Sequence, residues 1–264
     1  MRGSLPLSLL LLTILLVSGA ACRAEESRAA QPDPAPGGER ATNPPGEADK
    51  SHPPSKYLFI QRKIVAGQAT LAEVRLALTD EDIGALTNTV HGLYSMRWHR
   101  GVFNLIHDMW ALKKDNAPEI NWTQIEKSPV RLALASTLIR VEPFKNDDCV
   151  EYLREHRHDE HEFHRAQVVI GLGFKAAVED VDYIYEMADG NNPFVAQSAI
   201  TALAIMDIAP ARDALIRLLK KWGTDPRGTI IEDVLRQAYH WPPSEQPPPE
   251  DKKAAPAAPP AAAN

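Results

Sequence analysis

Four histidines and four carboxylates lie within the segment EHRHDEHEFHR, residues 155–165 of the chain. Imidazole and carboxylate groups are the ligands that zinc, nickel and copper prefer in proteins. On a continuous helix, His158, His161 and His164 would follow one another in three-residue steps along one face. One interpretation of this segment is therefore a divalent metal site, zinc for example, or a small-ligand site, formed by His156, His158, His161 and His164.

A second interpretation makes the same segment an exposed turn between two helices. Helical spacing of apolar residues is found on both sides of it, so part of the segment has to turn. Asp159 or Glu160 would then cap the following helix. The segment lacks the His-Glu-x-x-His pattern, which excludes a zinc protease of that type.

The segment Arg97-Trp98-His99-Arg100 is a candidate binding surface. Tryptophan and arginine are enriched among the residues that dominate the energy of protein interfaces. We therefore consider Arg97, Trp98 and Arg100 as contacts for a partner. The alternative is a solvated helix start.

No residue has the sequence context of a catalytic group. The serines and cysteines lack the surroundings of an activated nucleophile, and GLGFKA at 171–176 lacks the glycine spacing and the Lys-Ser/Thr ending of a phosphate loop. The segment is typical of a helix end instead. Cys149 is expected to be a small buried residue. We expect no catalytic residue and no required cofactor.

The beginning of the chain is typical of an export signal. Arg2 precedes an apolar run from Leu5 to Val17, which is too short for a comfortable membrane span, and small residues follow. Ala20 and Ala21 before Cys22 resemble the lipobox of bacterial lipoproteins. This resemblance implies a lipid on Cys22 and a protein anchored in the cell envelope, facing the periplasm. An ordinary cleavage site after Ala21 or Ala24 is the alternative.

Segments of low complexity flank a helical centre. We predict a signal peptide at 1–21, a disordered Pro/Ala-rich tether at 22–55, a folded domain at 56–241 and a disordered tail at 242–264. The net charge is −6, with acidic and basic residues interspersed. This pattern argues against nucleic acid as a partner.

Within 56–241 the patterns predict helices only. Thr79 is expected to cap a helix that starts with Asp80, and Asp225 to cap another whose first residue is Pro226. ADGNNPF, at 188–194, is expected to be a loop. No alternating apolar run suggests a strand, so the predicted fold class is all-α.

A degenerate repeat divides this helical region. VRLALASTLI from Val130, HRAQVVIGLG from His164 and VAQSAITALA from Val195 share small or β-branched residues at the same positions, with starts 34 and 31 residues apart. Weaker copies start at Arg97 and Arg227. The identical VRLAL from Val74 lies out of period. Two helices per period of this length predict a helical solenoid.

These segments resemble HEAT repeats, whose first helix commonly begins Val-Arg and ends Leu-Gly. The resemblance implies an α-solenoid of four to five antiparallel helix pairs with a concave binding surface. We therefore expect an exported, non-catalytic scaffold for a protein or peptide partner. The alternatives are a metal or small-ligand binding protein using the histidines, and an enzyme like the HEAT-like chromophore lyases.

Overall fold

The computed structural model describes residues 57–223 and 225–240, and every regular element in them is helical. The all-α prediction is confirmed for this part of the chain. Short 3-10 turns at Leu93–Met96, Lys114–Asn116 and Val178–Asp180 supplement the helices. The α-helices are α1 (Leu58–Val65), α2 (Leu71–Ala77), α3 (Ile83–Gly92), α4 (Arg100–Trp110), α5 (Trp122–Ile125), α6 (Ser128–Val141), α7 (Asp147–Glu155), α8 (Glu162–Lys175), α9 (Val181–Asp189), α10 (Pro193–Met206), α11 (Ala209–Trp222) and α12 (Pro226–Tyr239).

The observed helix starts agree with the predicted ones where the sequence offers a single candidate capping residue. Asp225 caps α12 and Pro226 is its first residue, as predicted. The cap predicted at Thr79 is wrong, because α3 begins at Ile83 and the side chain of Asp82 accepts a 2.8 Å bond from the Ala85 N–H. The Thr79 hydroxyl instead donates to the Leu76 carbonyl at the end of α2.

Five helices pack side by side in the order α3, α6, α8, α10 and α12. Two contacts fix the relative direction of α8 and α10. Near their starts, the Phe163 and Phe194 rings stack with centroids 6.4 Å apart. Near their ends, a Cβ added to Gly173 would lie 2.8 Å from the Ala202 Cβ. The two helices therefore run in the same direction and in register.

Small residues permit the same close approach between α6 and α8. A Cβ added to Gly171 would lie 2.5 Å from the Ser136 Oγ and 2.5 Å from a Leu153 methyl group. On the other side of α6, the Thr137 hydroxyl donates a 3.2 Å bond to the Val90 carbonyl of α3. Thus α3, rather than the segment from Arg97, precedes α6 in this row.

A second set of helices packs against the helices of this row. Helix α7 packs on α6 and α8, α9 on α10 and α11, and α11 on α10 and α12. Leu215 and Leu218 of α11 are fully buried, as is Ala202 of α10, whereas Arg217 is exposed. This burial pattern agrees with the amphipathic spacing in the sequence.

The predicted signal peptide, the predicted tethers and the predicted lipid-attachment residue Cys22 lie outside the described residues. No helix in 57–223 and 225–240 combines the length and apolar character needed to cross a membrane.

Candidate functional site

The histidine segment forms a turn rather than one helix. Helix α7 ends at Glu155 and α8 begins at Glu162. His156 therefore caps the end of α7, while His161 precedes the first residue of α8. The single-face arrangement required for His158, His161 and His164 on a continuous helix is not present.

Within the described residues, His156, His158 and His164 each contact a different partner. His156 Nδ1 lies 2.8 Å from the Tyr152 carbonyl, and the His158 ring contacts Tyr183 edge-on at 6.4 Å between centroids. His164 Nδ1 lies 3.0 Å from an Asp159 carboxylate oxygen. In the part of the chain that the structure describes, no group of three or more His, Cys, Asp or Glu side chains is placed to hold a metal ion.

Asp159 organises this turn. One carboxylate oxygen accepts the His161 backbone N–H at 2.9 Å, and the other contacts His164. Burial of Asp159 opposes its ionisation, but these hydrogen bonds prevail and lower its pKa below the usual value. The segment is therefore a turn, but the predicted cap at Asp159 or Glu160 is wrong, because His161 occupies the N-cap position of α8 and makes no side-chain cap hydrogen bond.

The arginines of the repeated Val-Arg and His-Arg pairs have a structural role. Arg131 donates to the Trp110 carbonyl at 2.9 Å, and its guanidinium carbon lies 3.9 Å from the centroid of the Trp110 ring. Arg165, at the same repeat position, donates to the carbonyls of Asp159 and Glu160 at 2.5 and 3.0 Å. Arg131 thus satisfies carbonyls at the end of α4, and Arg165 satisfies carbonyls in the turn after α7.

A buried carboxylate joins α7 to the start of α9. The side chain of Asp180 is 0% exposed, and Arg154 donates to its two oxygens at 3.1 and 2.9 Å. Arg157 also bonds to Asp180, and Arg157 accepts a 2.9 Å bond at its carbonyl from the Tyr183 hydroxyl. The hydrogen bonds to Asp180 raise the pKa of Arg154 further. No sequence signal distinguished Asp180 from the neighbouring surface carboxylates.

The predicted partner-binding residues lie around the turn between α3 and α4. Trp98 is 84% exposed. The guanidinium carbon of Arg97 lies 4.9 Å from the Trp98 ring centroid and 4.2 Å from that of Tyr94. Arg100 is exposed at the first residue of α4. Arg97 and Trp98 are thus brought together, while Arg100 begins the next helix.

Sequence analysis did not identify Arg140, which completes this surface. Its guanidinium carbon lies 3.8 Å from the Tyr94 ring centroid and 4.4 Å from the Phe174 ring centroid. Burial, and to a lesser degree the charge of Arg97, lower the pKa of Arg140 to about 10. Burial and the nearby charge of Arg140 also lower the pKa of His91 to about 3, so His91 is neutral at pH 7.

Cys149 is a buried thiol, as expected from the sequence. It is 0% exposed on α7, and burial raises its pKa well above the ordinary value. A thiol with a raised pKa has little of the thiolate form that reacts as a nucleophile.

Comparison with known proteins supplies no relative for this arrangement. No family model, no curated protein and no solved structure matches the chain.

Proposed function

We propose that the chain is a HEAT-like helical-repeat scaffold, non-catalytic, that binds a protein or peptide partner. In this proposal α6/α7, α8/α9 and α10/α11 are antiparallel pairs of a solenoid, with α3/α4 before them and α12 after them. The parallel, in-register packing of α8 on α10 supports it, as does the repeated use of Arg131 and Arg165. Solenoids of this kind offer extended surfaces to other chains.

The observation that carries the binding proposal is the exposure of large apolar side chains in successive turns. Trp98 follows α3, Phe144 follows α6 and Val178 follows α8, and they are 84%, 96% and 61% exposed. Because α3, α6 and α8 are neighbours in one row, the turns that follow them lie along one edge. Several exposed large apolar side chains along one edge favour a partner-binding site there.

Trp98 is the expected anchor of this edge. Tryptophan contributes a large, rigid contact area, and the adjacent Arg97 can bond to a partner's polar groups. Phe144 and Val178 extend the contact from Trp98 along the turns after α6 and α8. A peptide in an extended conformation would fit a row of turns.

Photo-crosslinking tests the proposal even though the partner is unidentified. A photoreactive phenylalanine analogue is placed at position 98 of the full chain in its own host, and at position 230 in a matched control. Ile230 is also partly exposed but lies on α12, away from the row of turns. We expect one discrete adduct from position 98 and none from position 230. The same adducts from both positions, or none from position 98, would contradict a binding surface at Trp98.

We also propose that the protein is exported and anchored to a membrane by a lipid on Cys22. The apolar run of the leader and the small residues before Cys22 support this. A flexible tether at 22–55 would let the helical domain reach a partner away from the membrane surface. Cys22→Ser should move the protein from the membrane fraction to the soluble exported fraction. A wild-type protein that is already soluble would exclude the lipid.

A further inference from the structure

The guanidinium of Arg140 is covered on two sides by aromatic rings. Tyr94 comes from the segment after α3 and Phe174 from the end of α8, and α6 lies between these two elements. The rings therefore approach Arg140 from opposite sides of α6. With its flat faces against rings, Arg140 can offer further partners only the N–H groups at its edge.

A second cation shares the Tyr94 ring. The Arg97 guanidinium carbon lies 4.2 Å from the ring centroid, against 3.8 Å for Arg140. The two positive charges are close enough for Arg97 to disfavour the charged form of Arg140. The structure thus holds two like charges together at a partly buried position.

No carboxylate of the described chain compensates these charges. Within residues 57–223 and 225–240, neither Arg97 nor Arg140 forms an ion pair. The ionisable neighbours that shift the pKa of Arg140 are Tyr94 and Arg97. Placing a cation in a partly apolar environment without a counter-ion costs free energy. An external anion that paired with both arginines would recover that cost.

We propose that Tyr94, Arg97, Trp98, Arg140 and Phe174 form a carboxylate-binding site for an acidic segment of a peptide partner. The inference rests on the proposed function and names the chemistry that its binding surface recognises. A carboxylate is planar and carries two oxygens, which match two N–H groups at the edge of a guanidinium. The exposed Trp98 ring beside it suits an apolar residue next to the acidic one.

The test uses the full chain and a fluorescently labelled peptide of alternating glutamate and leucine, with blocked ends. Its matched control has glutamine in place of glutamate. Fluorescence anisotropy measures the dissociation constants up to millimolar protein. We expect the glutamine peptide to bind about tenfold more weakly or worse, because it loses a charge-assisted hydrogen bond.

Variants locate the site on the protein. Arg140→Lys keeps the positive charge but loses the planar guanidinium with its paired N–H donors. The glutamate peptide should therefore bind about tenfold more weakly. Phe174→Leu, which removes one covering ring, should weaken it by a smaller factor. Arg217→Lys is the matched control, since Arg217 also lies on a tyrosine, 4.6 Å from the Tyr185 centroid, but is exposed. It should leave binding unchanged, and circular dichroism checks that every variant is folded.

Four results would overturn the proposal: no binding of the glutamate peptide, equal binding of both peptides, no effect of Arg140→Lys, or an equal effect of Arg217→Lys. Competition by inorganic phosphate at concentrations where acetate has no effect would also overturn it, in favour of a phosphate site. If the photoreactive analogue at position 98 still gives its adduct while one of these results is obtained, the scaffold proposal stands. If the peptides bind as expected but no adduct forms at position 98, the scaffold proposal is rejected instead.

Discussion

Two clusters in this molecule combine two arginines with a tyrosine, and they differ in one respect. At the α7/α9 junction, Arg154 and Arg157 bond to the buried carboxylate of Asp180. Near the ends of α3 and α6, Arg97 and Arg140 share the Tyr94 ring without a described carboxylate partner. The first cluster is complete within the protein, whereas the second has unused hydrogen-bond donors.

The difference separates a structural role from a binding role. Asp180 accepts two hydrogen bonds from Arg154 of α7, so it connects α7 to the start of α9. Arg140 contributes only ring contacts, each worth about 0.5–2 kcal/mol, and these are offset by its desolvation. Composition alone would not distinguish the two clusters, because arginine and tyrosine are present in both.

The largest expected effect is on the paired cluster. Asp180→Ala removes the buried counter-ion of two partly buried guanidiniums, leaving Arg154 only the exposed Glu179, and should lower the free energy of unfolding by about 3 kcal/mol. Chemical denaturation measures the change. Glu179→Ala is the control, since Glu179 is largely exposed and pairs only with Arg154, and it should shift the unfolding midpoint little. Equal effects of the two substitutions would show that burial of Asp180 is unimportant.

A smaller effect is expected from the packing that places Phe174 beside Arg140. A methyl group at Gly173 would meet the Ala202 Cβ at 2.8 Å and its Cα at 2.9 Å, so Gly173→Ala should cost about 1–3 kcal/mol. Thermal unfolding gives the shift, and glutamate-peptide binding should weaken with it. Gly84→Ala is the control, because the new methyl group would approach only the Asp82 side chain, at 3.2 Å. A Gly173→Ala protein as stable as wild type would contradict the close α8–α10 contact.

The pH dependence of stability tests the burial of His91 beside Arg140. The folded pKa of His91 is lowered from 6.5 to about 3, so the unfolded chain binds the proton first as the pH falls. The contribution of neutral His91 to the free energy of unfolding is therefore present above pH 6.5 and is lost as the pH falls toward 3. Between pH 6.5 and about pH 5 this group should remove about 1–2 kcal/mol. His91→Gln should flatten this part of the pH profile, and an unchanged profile would show that His91 is not held neutral.

The smallest effect is expected where an arginine lies on a ring at the surface. Arg217 is exposed and contacts Tyr185 at 4.6 Å, so Arg217→Ala should cost about 0.5 kcal/mol or less. Leu215, two residues earlier, is fully buried, and Leu215→Ala should cost about 2–5 kcal/mol. Similar costs for both variants would show that α11 presents a different face to the core.

The helical class and the burial of particular residues could be predicted because they depend on local periodicity. The helical spacing of apolar residues in the sequence of α11 agrees with the burial of Leu215 and the exposure of Arg217, and the Asp225-Pro226 pair predicted the start of α12. The start of α3 was not predicted, because Thr79, Asp80 and Asp82 all resemble caps. In the structure Asp82 is the cap, and its side chain accepts the Ala85 N–H.

The candidate site was predicted only in part, because its members come from three helices. Arg97 and Trp98 were visible as neighbours in sequence. Arg140 resembled an ordinary basic residue in the last turn of a helix, a position where the helix dipole favours a positive charge. Its position in the repeat gave a usable signal: Arg140 and Phe174 are 34 residues apart, the same offset that separates Val130 from His164. Residues at equivalent repeat positions become neighbours when the repeats stack.

The most direct test of the central claim compares Arg140→Met with Arg154→Met by urea unfolding of the full chain. Arg154→Met removes two hydrogen bonds to a buried carboxylate and should cost about 2–3 kcal/mol. Arg140→Met removes an unpaired cation and keeps an apolar side chain between the rings, so stability should change by less than about 1 kcal/mol. That result is expected if Arg140 contributes to ligand binding rather than to the stability of the fold. A loss for Arg140→Met as large as that for Arg154→Met would contradict the account.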